Sequence, residues 1–183
     1  MLIKRLNKER EFETYERLLY QVFSEKNPNN WLCKNYNKVN ARYRAPFSYC
    51  SQNIFAVYDD NEIVAGVSLN FDYKKIMQLE QVGFDLRKEE LADLYNYCEI
   101  LNLVSKSNSL KVLLMLKAFS FNEMVAQNIA FAFTTSSKKT LPFYLRYGCR
   151  ILKEKNVQCG TKYLLKIDFA SELDTDVIVG YVR

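Results

Sequence analysis

The stretch from Tyr97 to Thr134 constrains the fold more than any other part of this sequence, because it has the pattern of a strand, a helix and a second strand in succession. Tyr97–Val104 is typical of a strand, and Ile129–Thr134 is a second short apolar strand. Leu110–Ala126 is apolar on most sides, as in a helix covered by sheet and neighbours. Two strands of one sheet that are joined through a helix run parallel, with a right-handed crossover. The sequence therefore predicts a parallel pair at the centre of a sheet.

Antiparallel hairpins are predicted on both sides of this unit. Ile54–Tyr58 and Ile63–Phe71 read as two strands joined by Asp59–Glu62, whose Asp and Asn residues favour tight turns. Cys149–Lys153 and Lys162–Phe169 predict a final pair of strands. The expected fold class is α/β, with a mixed, mostly antiparallel sheet that is flanked by helices and has a central parallel strand pair.

Further segments predict the remaining elements. Phe12–Phe23 has apolar residues at three- and four-residue steps, which is typical of an amphipathic helix. Trp31–Tyr43 indicates a weaker second helix, although its polarity also allows a partly irregular region. Arg87–Tyr95 and Lys138–Tyr147 predict short helices. Val177–Val182 is strand-like and would add an edge strand or pair with a second copy of the chain, so a homodimer stays open.

The composition fits one globular domain that spans residues 1–183. Hydrophobic residues make up 49% of the chain and charged residues 26%, a balance that allows a buried core. No apolar run reaches the roughly 20 residues that cross a bilayer, and the start, Met-Leu-Ile-Lys-Arg, lacks the apolar stretch of a secretory signal. We therefore expect a cytoplasmic protein without a membrane span.

The side chains available for chemistry are restricted. The chain has no histidine, which excludes Ser-His and Cys-His relays and histidine-containing metal sites. Proton transfer must therefore use carboxylates, tyrosine, lysine or water. Five cysteines without C-x-x-C spacing argue against a zinc site and a disulfide framework: Cys33, Cys50, Cys98, Cys149 and Cys159. We expect reduced, mostly buried thiols and no metal.

The net charge of +5 is mild and dispersed along the chain. It would favour an anionic ligand or an acidic partner, but a solvated basic surface explains it better. It is too small to predict a nucleic-acid partner.

Four local patterns follow one another along the chain. They are the strand, acidic turn and strand of Phe55–Gly66, the strand Cys98–Ser105 with its early glutamate, the capped helix from Leu110, and the Phe-Tyr-Leu-Arg-Tyr-Gly run within Pro142–Cys149. In this order they resemble the GNAT superfamily of acyl-CoA and acyl-carrier-protein transferases, over about residues 54 to 169. The resemblance implies an N-acyltransferase that moves an acetyl or longer acyl group from a thioester donor to an amine acceptor.

The resemblance also implies where the donor binds. In the family, the donor's pantetheine pairs with strand backbone where two parallel strands lose contact, and its phosphates lie at the start of the next helix. Here those positions are Leu103, Val104, Ser105, Lys106, Ser107, Asn108, Ser109 and Leu110. The stretch lacks the family's glycines, which let backbone N–H groups approach a diphosphate. This departure fits acyl carrier protein, whose phosphopantetheine carries one phosphate, as an alternative donor to acetyl-CoA or another acyl-CoA.

Two residues match catalytic positions of the family. Glu99 stands where some relatives carry the base that deprotonates the amine, and Tyr144 stands where the acid protonates the leaving thiolate. Tyr147, three residues on, is a weaker candidate on nearly the same helix face. Each residue also has an ordinary structural alternative, as a strand-end carboxylate or a packed aromatic ring.

Other functions stay open alongside the acyltransferase. A GNAT-like fold without catalysis would serve as a binding or regulatory module, and the glycine-free loop favours it. A toxin-like transferase acting on charged tRNA would need a basic patch beside the site. Tyr20–Glu25 and the strand near Glu99 faintly resemble the autoinducer-synthase and N-acyl amino acid synthase branch, although Asn102 stands where that branch has an arginine. No pattern selects the acceptor.

Overall fold

A computed structural model describes residues 1–26, 35–44, 47–72, 78–86, 97–107, 109–157 and 160–168, and these form nine strands and four α-helices. The helices are α1 (Glu9–Lys26), α2 (Gln78–Gln81), α3 (Leu110–Ala126) and α4 (Leu141–Arg146). The strands are β1 (Leu2–Arg5), β2 (Tyr36–Asn37), β3 (Arg42–Tyr43), β4 (Gln52–Asp59), β5 (Glu62–Asn70), β6 (Tyr97–Ser105), β7 (Phe131–Ser137), β8 (Arg150–Val157) and β9 (Gly160–Asp168).

Seven strands form one sheet in the order β1-β4-β5-β6-β7-β9-β8, and β2 pairs with β3 in a separate ribbon. The pairs β1/β4, β4/β5, β7/β9 and β8/β9 are antiparallel, whereas β6 and β7 run parallel. The long helix α3 connects these two parallel strands, as a crossover requires. The predicted fold class, a mixed and mostly antiparallel sheet with a central parallel pair and flanking helices, is confirmed.

The chain divides into two compact units. Unit 1 contains Met1–Asn70 and Leu101–Ser120, and unit 2 contains Phe71–Ile100 and Phe121–Arg183. Strand β6 and helix α3 each contribute residues to both units. A single domain of residues 1–183 stays a prediction.

In unit 1, the hairpin of β4 and β5 turns at the predicted acidic segment. Asp60 and Asn61 have φ angles of 46° and 67°, a left-handed conformation that Asp and Asn tolerate better than most residues. Strand β1 pairs with the other edge of β4, with Leu2 opposite Tyr58. The sequence reasoning missed β1, because four residues with one buried side chain give no periodic signal.

Helix α1 packs its apolar face into the core of unit 1. It contains the predicted amphipathic segment Phe12–Phe23 and extends it at both ends. Tyr15, Leu18 and Leu19 are almost fully buried and belong to one apolar cluster with Ile54 of β4. Burial of such a side chain stabilises a fold by about 1.5 to 3 kcal/mol, so this face alone fixes the helix on the sheet.

The predicted second helix over Trp31–Tyr43 is wrong where the structure describes this segment. Residues 35–44 form the ribbon of β2 and β3 instead, and the first part of the segment lies outside the described residues. The side-chain oxygen of Asn37 accepts hydrogen bonds from the backbone N–H groups of Val39, at 3.1 Å, and Asn40, at 3.2 Å. Such a side-chain turn competes with helical hydrogen bonds, which explains the hairpin.

A buried carboxylate joins α1 to the ribbon and to the 3₁₀ turn before β4. Glu16 is 1% exposed, and its Oε2 lies 2.7 Å from Nε of Arg42 on β3. The hydroxyl of Tyr49 donates to Oε1 of the same carboxylate. Arg42 also binds the more exposed Glu13 at 2.8 Å. Both oxygens of Glu16 are thus satisfied, as a buried charge requires.

Helix α3 has the bounds that the sequence predicts, Leu110–Ala126. Val112 and Leu116 are fully buried, but Leu110 and Leu114 on the same helix are 68% and 45% exposed. The expectation that sheet and neighbours cover most sides of α3 is therefore confirmed for one face only.

In unit 2, the predicted C-terminal elements are present with shifted bounds. Strand β7 begins at Phe131 rather than Ile129 and ends at Ser137 rather than Thr134. Helix α4 is shorter than predicted: it begins after Thr140 and ends before Gly148. Gly148 has a φ of 94°, a conformation that glycine adopts readily. Strands β8 and β9 are longer than predicted.

Strand β8 is the last strand of the described sheet. It pairs with β9, and most of its side chains are exposed on both faces, including Lys153 and Lys155. Lys155 also donates to the Gly83 carbonyl at 2.7 Å.

Several expectations fall partly or wholly outside the described residues. These are the helix Arg87–Tyr95, the strand Val177–Val182, and the thiols of Cys33 and Cys159. Three further cysteines are free thiols, of which Cys98 and Cys149 are buried and Cys50 is exposed. None of the helices in the described part of the chain is long and apolar enough to cross a membrane.

We predict that Glu16→Gln destabilises the protein by about 1 to 3 kcal/mol, because it removes the buried charge that Arg42 pairs with and weakens the hydrogen bonds of Arg42 and Tyr49. Glu13→Gln is the matched control, since it removes the more exposed carboxylate from the same arginine. The control should cost less than about 1 kcal/mol. Urea unfolding of the three proteins measures both values, and equal losses would contradict the structural role of Glu16.

Candidate active site

The parallel ladder between β6 and β7 is short. It pairs Tyr97 with Phe131, Cys98 with Ala132 and Glu99 with Phe133, and the register of the described residues contains no further pair. Both strands continue past this point, β6 to Ser105 and β7 to Ser137. The ladder therefore ends in the middle of both strands.

A side chain replaces the ladder immediately beyond its end. The hydroxyl of Thr134, the first residue of β7 after the ladder, donates to the carbonyl of Ile100 on β6 at 2.9 Å. Thr134 is 3% exposed, and its side chain is also hydrogen-bonded to Tyr144. A chain of hydrogen bonds thus runs from Tyr144 through Thr134 to the backbone of β6, all within unit 2.

Tyr144 is held by the short helix α4 and the turn after it. The Cys149 N–H donates to the Tyr144 carbonyl at 3.0 Å, across the turn at Gly148. Burial raises the pKa of Tyr144 to about 12; Cys149 acts in the same direction, and the hydrogen bond with Thr134 opposes both. The phenol is therefore protonated throughout the physiological range and can donate a hydrogen bond.

Tyr147, the second tyrosine candidate, packs against an aromatic neighbour. Its ring centroid lies 5.4 Å from that of Phe143, which in turn lies 5.5 Å from the Tyr144 ring. Burial, with Tyr144 as a further cause, raises the pKa of Tyr147 well above its ordinary range. These contacts support a packing role for Tyr147.

The carboxylate of Glu99 is buried and bound to backbone. Glu99 is 1% exposed, and its two oxygens accept the N–H groups of Gln78, at 2.9 Å, and Leu79, at 2.7 Å. These residues open helix α2, so the carboxylate caps the helix and ties it to β6. The sequence reasoning missed this contact, because a helix of four residues has no detectable period.

Asn102 gives β6 a left-handed residue inside a strand, with a φ of 51°. Its carbonyl accepts the hydroxyl of Tyr15 on α1 at 2.8 Å. A left-handed residue bends a strand and shifts its alternation, as in a β-bulge. The known tolerance of Asn for this conformation is a signal that could have found the bend.

The predicted donor-binding stretch lies in unit 1, apart from Asn108, which is outside the described residues. Val104 is buried, Leu103, Ser105 and Ser109 are partly exposed, and Lys106, Ser107 and Leu110 are exposed.

Hydrogen bonds fix the turn between β6 and α3. The Lys106 N–H donates to Val64 of β5 at 2.8 Å, and the Ser105 hydroxyl donates to the Ser107 carbonyl at 2.5 Å. The Ser109 N–H points to the Ser107 hydroxyl at 3.4 Å. The turn thus presents serines and an exposed lysine at the start of α3.

The structure distributes the predicted site residues over both units. Glu99 and Tyr144 belong to unit 2, whereas the described donor residues belong to unit 1. Strand β6 carries Glu99 and Leu103–Ser105 on one continuous segment. Within the described residues, no three carboxylate or thiol side chains gather in a group that could hold a metal ion.

The fold is shared with solved acyltransferase structures. The N-acyl amino acid synthase FeeM from uncultured soil microbes has a TM-score of 0.68 and 10% identity, over 93% of this chain and 96% of that chain. A CoA-dependent acyl-homoserine lactone synthase, BjaI, solved with SAM and isopentyl-CoA, has a TM-score of 0.66 and 14% identity, over 93% and 83%. A probable acetyltransferase from Staphylococcus epidermidis has a TM-score of 0.63 and 17% identity, over 91% and 98%. The sequence matches no protein-family model and no curated protein.

We predict that Glu99→Gln destabilises the protein by roughly 1 to 3 kcal/mol, because an amide offers one acceptor oxygen and leaves one of the two helix N–H groups without a partner. Hydrogen exchange at the Gln78 and Leu79 amides should accelerate before global unfolding. Glu62→Gln, at an exposed position of β5, serves as the control and should have little effect. Wild-type exchange rates at both amides would contradict the capping role.

Proposed function

We propose that this chain, which has the GNAT fold, is an N-acyltransferase that moves an acyl group from a thioester donor to an amine. The fold supports the reaction class, since the similar structures include acetyltransferases and acyl-homoserine lactone and N-acyl amino acid synthases. One observation carries the proposal: a buried, protonated tyrosine is hydrogen-bonded, through Thr134, to β6 at the point where the parallel ladder stops.

The donor would bind along β6 beyond its bend. We propose that the amides of its pantetheine arm pair with the backbone of Leu103–Ser105, as an added strand pairs with a sheet edge. The exposed Lys106 and the N–H groups at the start of α3 would then bind phosphate. A serine turn without glycine suits one phosphate better than two, although Lys106 and the helix N–H groups are available to either. Acyl-CoA and the phosphopantetheine of acyl carrier protein therefore both stay candidate donors.

The chemistry assigns Tyr144 to the leaving group. The amine nitrogen attacks the thioester carbonyl, a C–N bond forms, the C–S bond breaks, and a proton from the nitrogen ends on the sulfur. A thiol has an ordinary pKa of about 8.5, well below the value of about 12 for Tyr144. We propose that Tyr144 stabilises the developing thiolate as a hydrogen-bond donor and keeps most of its own proton.

Glu99 as the general base stays a prediction. Its carboxylate already accepts two backbone N–H groups, and a base would in addition need the amine or a water within hydrogen-bond reach. Glu99→Asp keeps the charge on a shorter side chain, so it would weaken both the capping of α2 and the predicted base function. Glu99→Gln removes the base outright.

Donor titration separates the acyltransferase from its rival, a GNAT-like binding module without catalysis. Calorimetry with coenzyme A, acetyl-CoA and acyl carrier protein measures binding, and release of free thiol in the presence of amino acids, simple amines or lysine peptides measures transfer. Binding with thiol release supports the enzyme, and binding without release on every acceptor supports the module. An absence of donor binding would overturn both.

We predict that Tyr144→Phe lowers kcat roughly a hundredfold, the effect of removing one transition-state donor, while donor Kd stays within about twofold of the wild type. Tyr147→Phe is the matched control on the same segment and should retain kcat. Steady-state kinetics and calorimetry measure the two constants. A Tyr144→Phe enzyme with wild-type kcat would remove the phenol from the mechanism.

The pH dependence gives a second test. The raised pKa of about 12 keeps Tyr144 protonated above the range in which an ordinary tyrosine, with a pKa of about 10, loses its proton. We therefore predict that wild-type kcat does not decline between about pH 8.5 and about pH 10. A decline with a midpoint near pH 10, absent in Tyr144→Phe, would show that the phenol is not shifted in this way.

A further inference from the structure

The bend in β6 is fixed by a residue far away in sequence. Asn102 adopts a left-handed conformation, which most side chains avoid, in the interior of a strand. The hydroxyl of Tyr15 on α1 donates to the Asn102 carbonyl at 2.8 Å, and Tyr15 is 1% exposed. Both residues belong to unit 1. A part-buried backbone carbonyl of β6 therefore has a hydrogen-bond partner from helix α1.

The sheet leaves room for the Tyr15 ring. A Cβ added at Gly66 of β5 would lie 2.6 Å from Cε2 of Tyr15 and 3.0 Å from the Phe55 carbonyl oxygen. A distance of 2.6 Å is well inside van der Waals contact, so the Tyr15 ring can approach β5 this closely only because residue 66 is glycine. Gly66 and Tyr15 thus act together in placing the hydroxyl.

The residues after the bend depend on it. A left-handed residue shifts the alternation of a strand, and a shift of one residue exchanges the groups on its two sides. Leu103–Ser105 follow Asn102 directly, and the Lys106 N–H then donates to Val64 of β5. If Asn102 relaxed to the extended conformation, the backbone groups of Leu103–Ser105 would turn to other directions.

We propose that Tyr15 is a positioning residue for the donor, whose hydroxyl holds the Asn102 bend and so aims the backbone of Leu103–Ser105 at the pantetheine arm. This inference rests on the proposed function. Tyr15 itself touches neither the donor nor the reacting atoms in this role, so its loss acts on donor affinity and leaves the chemical step alone.

Tyr15→Phe tests the inference with Tyr49→Phe as its matched control. Each variant removes one phenol hydroxyl that donates a hydrogen bond within unit 1, but the Tyr49 hydroxyl donates to Glu16 and not to β6. Calorimetry with coenzyme A and with pantetheine 4′-phosphate measures affinity. We expect Tyr15→Phe to raise Kd roughly fivefold to thirtyfold, the cost of one lost hydrogen bond to a part-buried backbone carbonyl. Kd for Tyr49→Phe should equal that of the wild type, and kcat at saturating donor should not change in Tyr15→Phe.

A ligand-free measurement separates this inference from the proposed function. In Tyr15→Phe, hydrogen exchange at the amides of Leu103–Ser105 should accelerate more than in Tyr49→Phe. Wild-type protein that binds neither these two probes nor acyl carrier protein overturns the proposed function and, with it, the donor role of Tyr15, even where the exchange result holds. Wild-type protein that binds, together with equal affinity in Tyr15→Phe, overturns the inference alone.

Gly66→Ala tests the same hydrogen bond, between the Tyr15 hydroxyl and the Asn102 carbonyl, by moving the Tyr15 ring. Its methyl group must displace the Tyr15 ring, so donor affinity should fall in the same direction. The double variant Tyr15→Phe with Gly66→Ala should bind no more weakly than the worse single variant, because both act through one contact. Losses that simply add would show that Gly66 acts by another route and would contradict the shared mechanism.

Discussion

A buried strand needs a partner for its backbone N–H and C=O groups, and β6 uses different partners along its length. Its first residues pair with β7 in the short parallel ladder. Beyond the ladder, the Thr134 hydroxyl takes the carbonyl of Ile100, and the Tyr15 hydroxyl takes the carbonyl of Asn102. Side-chain hydroxyls thus donate hydrogen bonds to these two carbonyls beyond the point where the pairing of β6 with β7 stops. These side-chain hydrogen bonds let the β6–β7 ladder end in the middle of the sheet at little cost in free energy.

The same groups that complete the fold are those that the chemistry would use. Thr134 satisfies β6 and also orients Tyr144, while Glu99 caps α2 from the strand that would carry the donor. If the proposed function holds, structure and reaction are coupled at these positions. An apolar substitution at one of these positions that improved packing would also remove a hydrogen bond on which the proposed reaction depends.

The sequence predicts elements well where apolar residues repeat over many positions. The bounds of α3 agree with the prediction, and the β4–β5 hairpin turns at the expected acidic segment. The contacts that define the site join residues distant in the chain: Thr134 and Ile100 are 34 residues apart, and Tyr15 and Asn102 are 87 apart. No local pattern reports such pairs. The ribbon in place of the second helix was missed because one Asn37 side chain, not the apolar spacing, decides that segment.

Strand β8 lies at the border of the described sheet and carries charge on both faces, with Lys153 and Lys155 among its exposed residues. An open strand border is a template on which another polypeptide can continue the sheet, and lysines there oppose this because burying their charge beneath an added strand is unfavourable. The described part of the sheet therefore ends in a mostly exposed strand that disfavours the addition of further strands. Replacing these lysines by valine would create an apolar strand edge that promotes association between chains. The protein would then aggregate under conditions in which it is still folded.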